Sequence, residues 1–510
     1  MPWRPTAAFG LSGRKNWSPR RFSKQYLQRS LQRHSASDEQ DRASTYLLRH
    51  EGADYKFLWL AEVFTPVDIP QLEERLDSIS KRRPPFANRP TDNYAHWLTQ
   101  GRRDASEAWH ALPYFARRGI MEMMPNRITT ELPLGVDWAT GGITLVTPSI
   151  AVAVISFAYS DSFAAGFGEL TRRRESTSLD KFPGGYSLID VPKKKALAVD
   201  AWHEARISEA SVWLAQELPG FFSRGAGEPL PSIALISTRG FKAWEERRTF
   251  QKRLSPFNVL GLGYSILEPY WAVDVRPEIH VREVAHGAGL RAASLLATTY
   301  DAGDNASEDL QGELHHVLSE PMQSMMLRWA LVHLVLRSRK RLNRLRDDIA
   351  SIAGRASSRD FLTLRNELIS IGADVRLAAN EAATFARTER DWARHFPAST
   401  EVVPEAHMGK YAPESLLELW KSALLAETEQ LTPLEKDFSE LAGVSADLTN
   451  VAFGIRTQRA VLWLTIVSVI VAAASLLVAI VALRATSQPP STSPSPSYSA
   501  NANGAESSTS

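Results

Sequence analysis

Phosphate chemistry needs glycines that let backbone N–H groups converge on an oxyanion. The chain offers Gly166-Phe167-Gly168 and Gly261-Leu262-Gly263, but neither pair carries the third glycine of a dinucleotide fingerprint, and no G-x-x-x-x-G-K-[ST] occurs. Both read as turn glycines. The metalloprotease H-E-x-x-H and the hydrolase G-x-S-x-G are also absent, and there is no cysteine to act as nucleophile or thiolate ligand. Adjacent His315 and His316 point to opposite faces in a strand or about 100° apart on a helix, a poor beginning for a metal site. Carboxylates sit beside bases, as in Glu245-Glu246-Arg247-Arg248, which a solvated helix face explains. Tyr159, Asp161 and Ser162 follow the most apolar run, where open α/β sheets place functional groups, although helix capping by Asp161 or Ser162 is the simpler use. No residue is assigned to catalysis on this reading, and no cofactor or metal is called for. A non-enzymatic protein is expected.

Two patterns suit binding instead. Arg337, Arg339, Lys340, Arg341, Arg344 and Arg346 form the densest basic cluster of the folded part. It suits an anion or lipid-binding patch, since clustered cations raise the local anion concentration; a charged outer face paired with Asp347, Asp348 and neighbouring helices suits it better. Thr465, Ser468 and Ser475 share one face of an otherwise apolar segment, the arrangement of a pore stripe or, more simply, of a helix–helix contact.

That segment organises the chain. No charge interrupts Ala460–Leu483, and at ~1.5 Å per residue such a helix reaches about 36 Å, enough for a ~30 Å hydrocarbon core. No secretory signal precedes it. Arg456 and Arg459 lie before the span and Arg484 after it, which agrees with an N-terminal body in the cytoplasm and a short tail outside the plasma membrane. The net charge of +2 argues against specific nucleic-acid binding by the whole chain. Residues 1–50 read as a basic disordered arm, acid-free as far as His34; an organellar transit peptide has the same composition. The Ser/Pro/Thr-rich residues 484–510 read as disordered.

Between these ends the texture changes once. Tyr55–Val63 and Ile150–Tyr159 read as buried strands, the latter paired across a Pro-Ser turn with the run after Gly141-Gly142. A helix capped by Asp68 follows the first strand, and helices are expected over Phe163–Arg174, Val199–Phe222 and Phe241–Leu254, with strands at Ser232–Ser237 and Tyr270–Val275. Alternation over 51–301 predicts an α/β or α+β domain. Beyond it, a long helical hairpin is expected over 310–396, with Pro321 opening its first helix. The second helix carries Leu364, Leu368, Ile371, Val375, Ala378, Ala382 and Phe385 at coiled-coil spacing. Stalk helices over 413–459, restarted or kinked at Pro433, continue the repeat into the membrane helix at 460–483. Such seams predict an antiparallel bundle or coiled coil, with self-association or a protein partner, besides membrane lipid, as its companions.

This order of parts resembles the CorA-type magnesium channel family. The resemblance implies a cytosolic α/β domain, a helical hairpin, and a stalk helix that becomes a membrane segment of a pentamer. The chain departs from that family after Leu483, where it reads RATSQPP instead of Gly-Met-Asn and lacks a second membrane helix. The sequence therefore predicts a single-pass, tail-anchored protein with a cytosolic sensing or binding domain. A divergent divalent-cation conductor is the alternative.

Overall fold

The computed structural model describes residues 32, 47–83, 93–104, 108–122, 124, 126–182, 185–225, 230–243, 247–249, 252–254, 260, 270–273, 279–283, 294–301, 310–352, 374–396, 400–402 and 415–486. The basic arm before residue 47 apart from residue 32, the tail after 486, Gly261–Gly263, and the first seam positions Leu364, Leu368 and Ile371 lie outside them.

The centre is β1 (Gly52–Phe64), an aromatic and aliphatic run buried on both faces. It pairs antiparallel with β6 (Ile150–Tyr159) on one side and β9 (Ser232–Arg239) on the other. Beyond β6 lies β5 (Val136–Thr147), joined to it by the expected hairpin, with Thr147 opposite Ile150. The strand runs through Gly141 and Gly142 rather than beginning after them. A Cβ on Gly141 would stand 1.9 Å from the Val154 carbonyl oxygen, so only glycine permits this approach of the two strands. Short strands β2 (Ala108–Ala111), β3 (Tyr114–Ala116) and β4 (Arg127–Thr129) complete that end of the sheet, and β7 (Ser178–Phe182) and β8 (Gly185–Ile189) pair as a separate hairpin. On the opposite side β14 (Ser294–Asp301) adds parallel to β9, followed by β13 (Ile279–Glu283), β12 (Tyr270–Val273) and β15 (Thr400–Val402). The result is one large mixed sheet.

A bulge at Lys56 decides what each face of β1 receives. Tyr55 pairs with Ile236 and Phe57 with Leu235, so two aromatics that simple alternation would place together point to opposite sides. Tyr55 meets Phe167 and His203, on helices α3 (Asp161–Arg172) and α4 (Val191–Glu217). Phe57 meets His315 on the 43-residue helix α6 (Leu310–Ile352). Between α4 and α6 in the chain comes the short helix α5 (Phe221–Arg224), and before β2 come α1 (Ile69–Lys81) and α2 (Tyr94–Asp104). Helices on both faces explain why the central strands carry apolar residues at nearly every position.

Several expectations change. Asp68 does not cap α1: its side chain turns back to the Thr65 N–H at 3.0 Å and pairs with Arg224 at 2.6 Å. The helix expected over Phe241–Leu254 is a hairpin of β10 (Arg247–Thr249) and β11 (Lys252–Leu254). Arg247-Arg248 breaks the apolar spacing that a helix there would need. Pro321 lies inside α6 and Pro433 inside the 71-residue helix α9 (Leu416–Thr486), so neither begins a helix. The carbonyls they leave without a helical donor belong to Val317 and Glu429, both exposed residues.

The second expected hairpin helix is described over 374–387, here α7, and is followed by α8 (Glu389–Ala393). Val375, Ala378, Ala382 and Phe385 are buried, but the helix ends at 387 and the expected bundle or coiled coil is not seen among the described residues. Helix α7 is also tied to the ends of β1 and β5, through Thr65 to Asp374 at 2.6 Å and through Thr147 to Glu381. Helix α6 packs both on the sheet and on α9, whose Trp420 ring lies 5.3 Å from that of Trp329.

Candidate functional site

The residues singled out from sequence separate in space. Tyr159 is buried edge-on against Tyr55 at 5.2 Å, and burial pushes its phenol pKa up. Asp161 is exposed and pairs with Lys56 at 2.9 Å. The cap of α3 is Ser160, one residue ahead of Asp161 and two ahead of Ser162, accepting from the Phe163 N–H at 3.3 Å.

His315 and His316 diverge. His316 is exposed, whereas His315 is buried with its Nε2 2.9 Å from Ser156 Oγ. A Ser–His contact invites a nucleophilic reading, but the Ser156 hydroxyl donates to the Thr140 carbonyl at 3.0 Å. Its single proton is used there, so the ring nitrogen donates and the serine oxygen accepts. That is the reverse of general-base activation. Burial also lowers the His315 pKa to about 4, keeping the ring neutral. Among the described residues no group of three or more His, Asp or Glu side chains is placed to hold a metal ion.

The basic cluster divides between two partners. Arg337 is buried, its guanidinium 4.4 Å over the Phe222 ring. Arg339 turns to α9, meeting Glu427 at 2.8 Å and also Gln430. Lys340 and Arg344 are exposed and Arg341 is half-buried; the Arg346 side chain lies outside the described residues. On α9, Thr465 and Ser475 donate to the carbonyls of Val461 and Val471, each at 2.8 Å, and Ser468 is exposed like its neighbours.

A cleft of about 450 Å³ lies where β2 and β5 meet α6 and the end of α7–α8. Its construction begins with Arg328, a buried side chain on α6. The guanidinium donates to the carbonyls of Trp392 at 2.6 Å and Arg394 at 2.7 Å, reaches that of Asp391 at 3.3 Å, and bonds Ser324 on its own helix. These carbonyls close the C-terminal end of α8, where a cation also meets the negative end of the helix dipole. With the turn so held, His395 adopts φ +55°, a left-handed conformation that strains a non-glycine residue by about 1–3 kcal/mol. Its Nδ1 lies 2.6 Å from Glu320 Oε1, and its Nε2 accepts from Arg394 Nε at 3.1 Å. Because Nε2 accepts, the nitrogen that donates to Glu320 is Nδ1.

Trp109 forms the opposite wall. It lies over Gly142, where a Cβ would stand 2.5 Å from the indole nitrogen, and that nitrogen donates to Gln323 Oε1 at 3.3 Å. Leu327 and Phe385, both buried, supply the apolar remainder. Sequence reasoning missed this site. The one legible trace was the spacing of His316, Glu320 and Gln323, four and three apart on a single helix face.

The fold and this cleft define a mixed α/β domain joined to a helix long and apolar enough to cross a membrane over Thr457–Ala479. No family model, characterised protein or solved structure matches the chain.

Proposed function

We propose that this is a single-pass membrane-anchored protein whose sheet domain senses or binds a ligand on the cytoplasmic side of the plasma membrane, without catalysing a reaction. The observation that carries the reading is the continuity of α9. Its first turns are buried against the body at Leu416, Trp420 and Leu424, and the same helix buries no residue of Thr457–Ala479. Burying those side chains in lipid removes an apolar surface that water would oppose at ~25 cal/mol per Å². Self-association through the heptad helices belongs to the same proposal.

The alternative, an oligomeric divalent-cation conductor, would need the Thr465, Ser468 and Ser475 face to line water. Two of these hydroxyls are already bonded within their own helix, which favours a helix contact. Membrane fractionation tests the anchor. The full chain should resist alkaline extraction and a chain ending at Arg456 should not; release of both would refute it. Light scattering of the two forms tests association, and monomers in both would remove the oligomer.

A further inference from the structure

We propose that the cleft between Trp109, α6 and the Arg394–His395 turn is a regulatory site for a small planar aromatic carboxylate, read out at the docked turns of α9. The proposal rests on the sensing function above and names its ligand class.

The shape and charge of the lining select that class. Trp109 is 56 % exposed and offers a flat indole wall, with Leu327 and Phe385 behind it. Aromatic faces favour offset or edge-on partners of similar flatness. The ionised groups of the lining are two guanidiniums, Arg328 and Arg394, against one carboxylate, Glu320. Glu320 is already engaged by His395, so the site leans positive. Arg394, exposed at the rim and bonded through Nε to His395, is the cation that a carboxylate entering beside the rings would draw on in competition with its present partners. A cleft of about 450 Å³ holds one or two rings with a short acidic substituent.

The readout follows from what flanks the turn. Arg394 and His395 lie between Trp392 and Phe396, and both of these touch α9: Trp392 Nε1 donates to the Leu417 carbonyl at 3.2 Å, and the Phe396 ring is 6.1 Å from Trp420. A ligand that draws on Arg394 therefore acts on a segment strained at His395 and bonded to the stalk. Left-handed non-glycine residues recur at ligand clamps for this reason.

The test uses the full chain in lipid nanodiscs, titrated calorimetrically with benzoate, indole-3-acetate and 2-naphthoate and with the amide of each. At least one carboxylate should bind about tenfold more tightly than its amide. Arg394→Gln should abolish that discrimination, and Trp109→Ala should weaken acid and amide alike; both side chains are exposed, so folding is retained. Amide exchange should slow at 389–396 and also at 416–431 when the carboxylate is bound. Absence of binding by all three acids, or binding indifferent to both substitutions, overturns the site. Protection confined to 389–396 overturns the readout. A chain that fails to enter nanodiscs fails as an anchored protein instead, and the same titration in solution then decides the site separately.

Discussion

Replacing Arg328 tests whether one buried guanidinium holds the cleft turn to α6. In Arg328→Ala the carbonyls of Asp391, Trp392 and Arg394 lose donors at 3.3, 2.6 and 2.7 Å, and Ser324 loses another. Bonds from a charged donor contribute about 1.5–3 kcal/mol each, and buried acceptors left unpaired cost about 1–3 kcal/mol. These losses overlap, because a freed turn can re-solvate some carbonyls by moving. The side chain also covers Trp392 and Phe396, with its guanidinium carbon 5.6 and 5.4 Å from the ring centroids. We expect a net cost of about 3–5 kcal/mol to the local structure. Native-state amide exchange of residues 391–396 reads this directly, since 1.36 kcal/mol is tenfold in an opening constant. Opening should rise by two orders of magnitude or more, while β1 and β6 change far less. Arg328→Lys should fall between, because an ammonium cannot span carbonyls on both sides of the turn. An exchange rate altered less than about tenfold in Arg328→Ala would refute the reasoning.

Other expectations concern the frame. Burial raises the pKa of Glu62 to about 7 despite N–H bonds from Val63, Phe222 and Ser223. Its native state holds a proton that the unfolded chain releases above about 4.5, so stability is full at low pH and falls by up to ~3 kcal/mol as pH rises to about 7. Glu62→Gln should flatten that slope in pH-dependent denaturation. His203, buried and lowered to about 4, acts oppositely: its contribution is present above 6.5 and lost as pH falls towards 4. His203→Asn should remove about one proton from the acid limb. Gly141→Ala should destabilise by about 3 kcal/mol or more, measured by urea unfolding, because its methyl group would overlap the Val154 carbonyl. Val469→Lys, in the middle of the apolar stretch, should cost about 2.5–3.5 kcal/mol of insertion and raise the fraction extracted at alkaline pH.

The sheet core was readable because helices cover both faces of β1 and β6, which forces nearly unbroken apolar runs that no surface element would carry. The apolar span was readable for the same compositional reason. Prolines misled: at Pro321 and Pro433 the local rule says start, but a long helix absorbs a missing N–H where the residue that loses its donor is exposed. The bulge at Lys56 left no trace, since GADYKFLWLAEVF reads the same with or without it. The cleft was invisible for a different reason. Trp109 lies in a stretch whose short strands have no clear period, and it meets Gln323 only after β2 has paired with β5. Proximity made by tertiary pairing has no local signature.

The 71-residue α9 has a mechanical consequence. Its last described buried side chain is Leu431, and Pro433, two residues on, lacks the N–H that would bond the Glu429 carbonyl across that turn. From Leu431 to Ile470, in the middle of the apolar stretch, the helix runs about 58 Å. A swing of about 5° at the proline would therefore carry Ile470 sideways by roughly 5 Å, half the diameter of a helix with its side chains. Pro433 sits at the fulcrum of a lever whose short arm is gripped by Trp392 and Trp329 and whose long arm ends in the apolar stretch. At Trp420, about 20 Å along the short arm, the same swing of about 5° corresponds to a shift of about 1.7 Å.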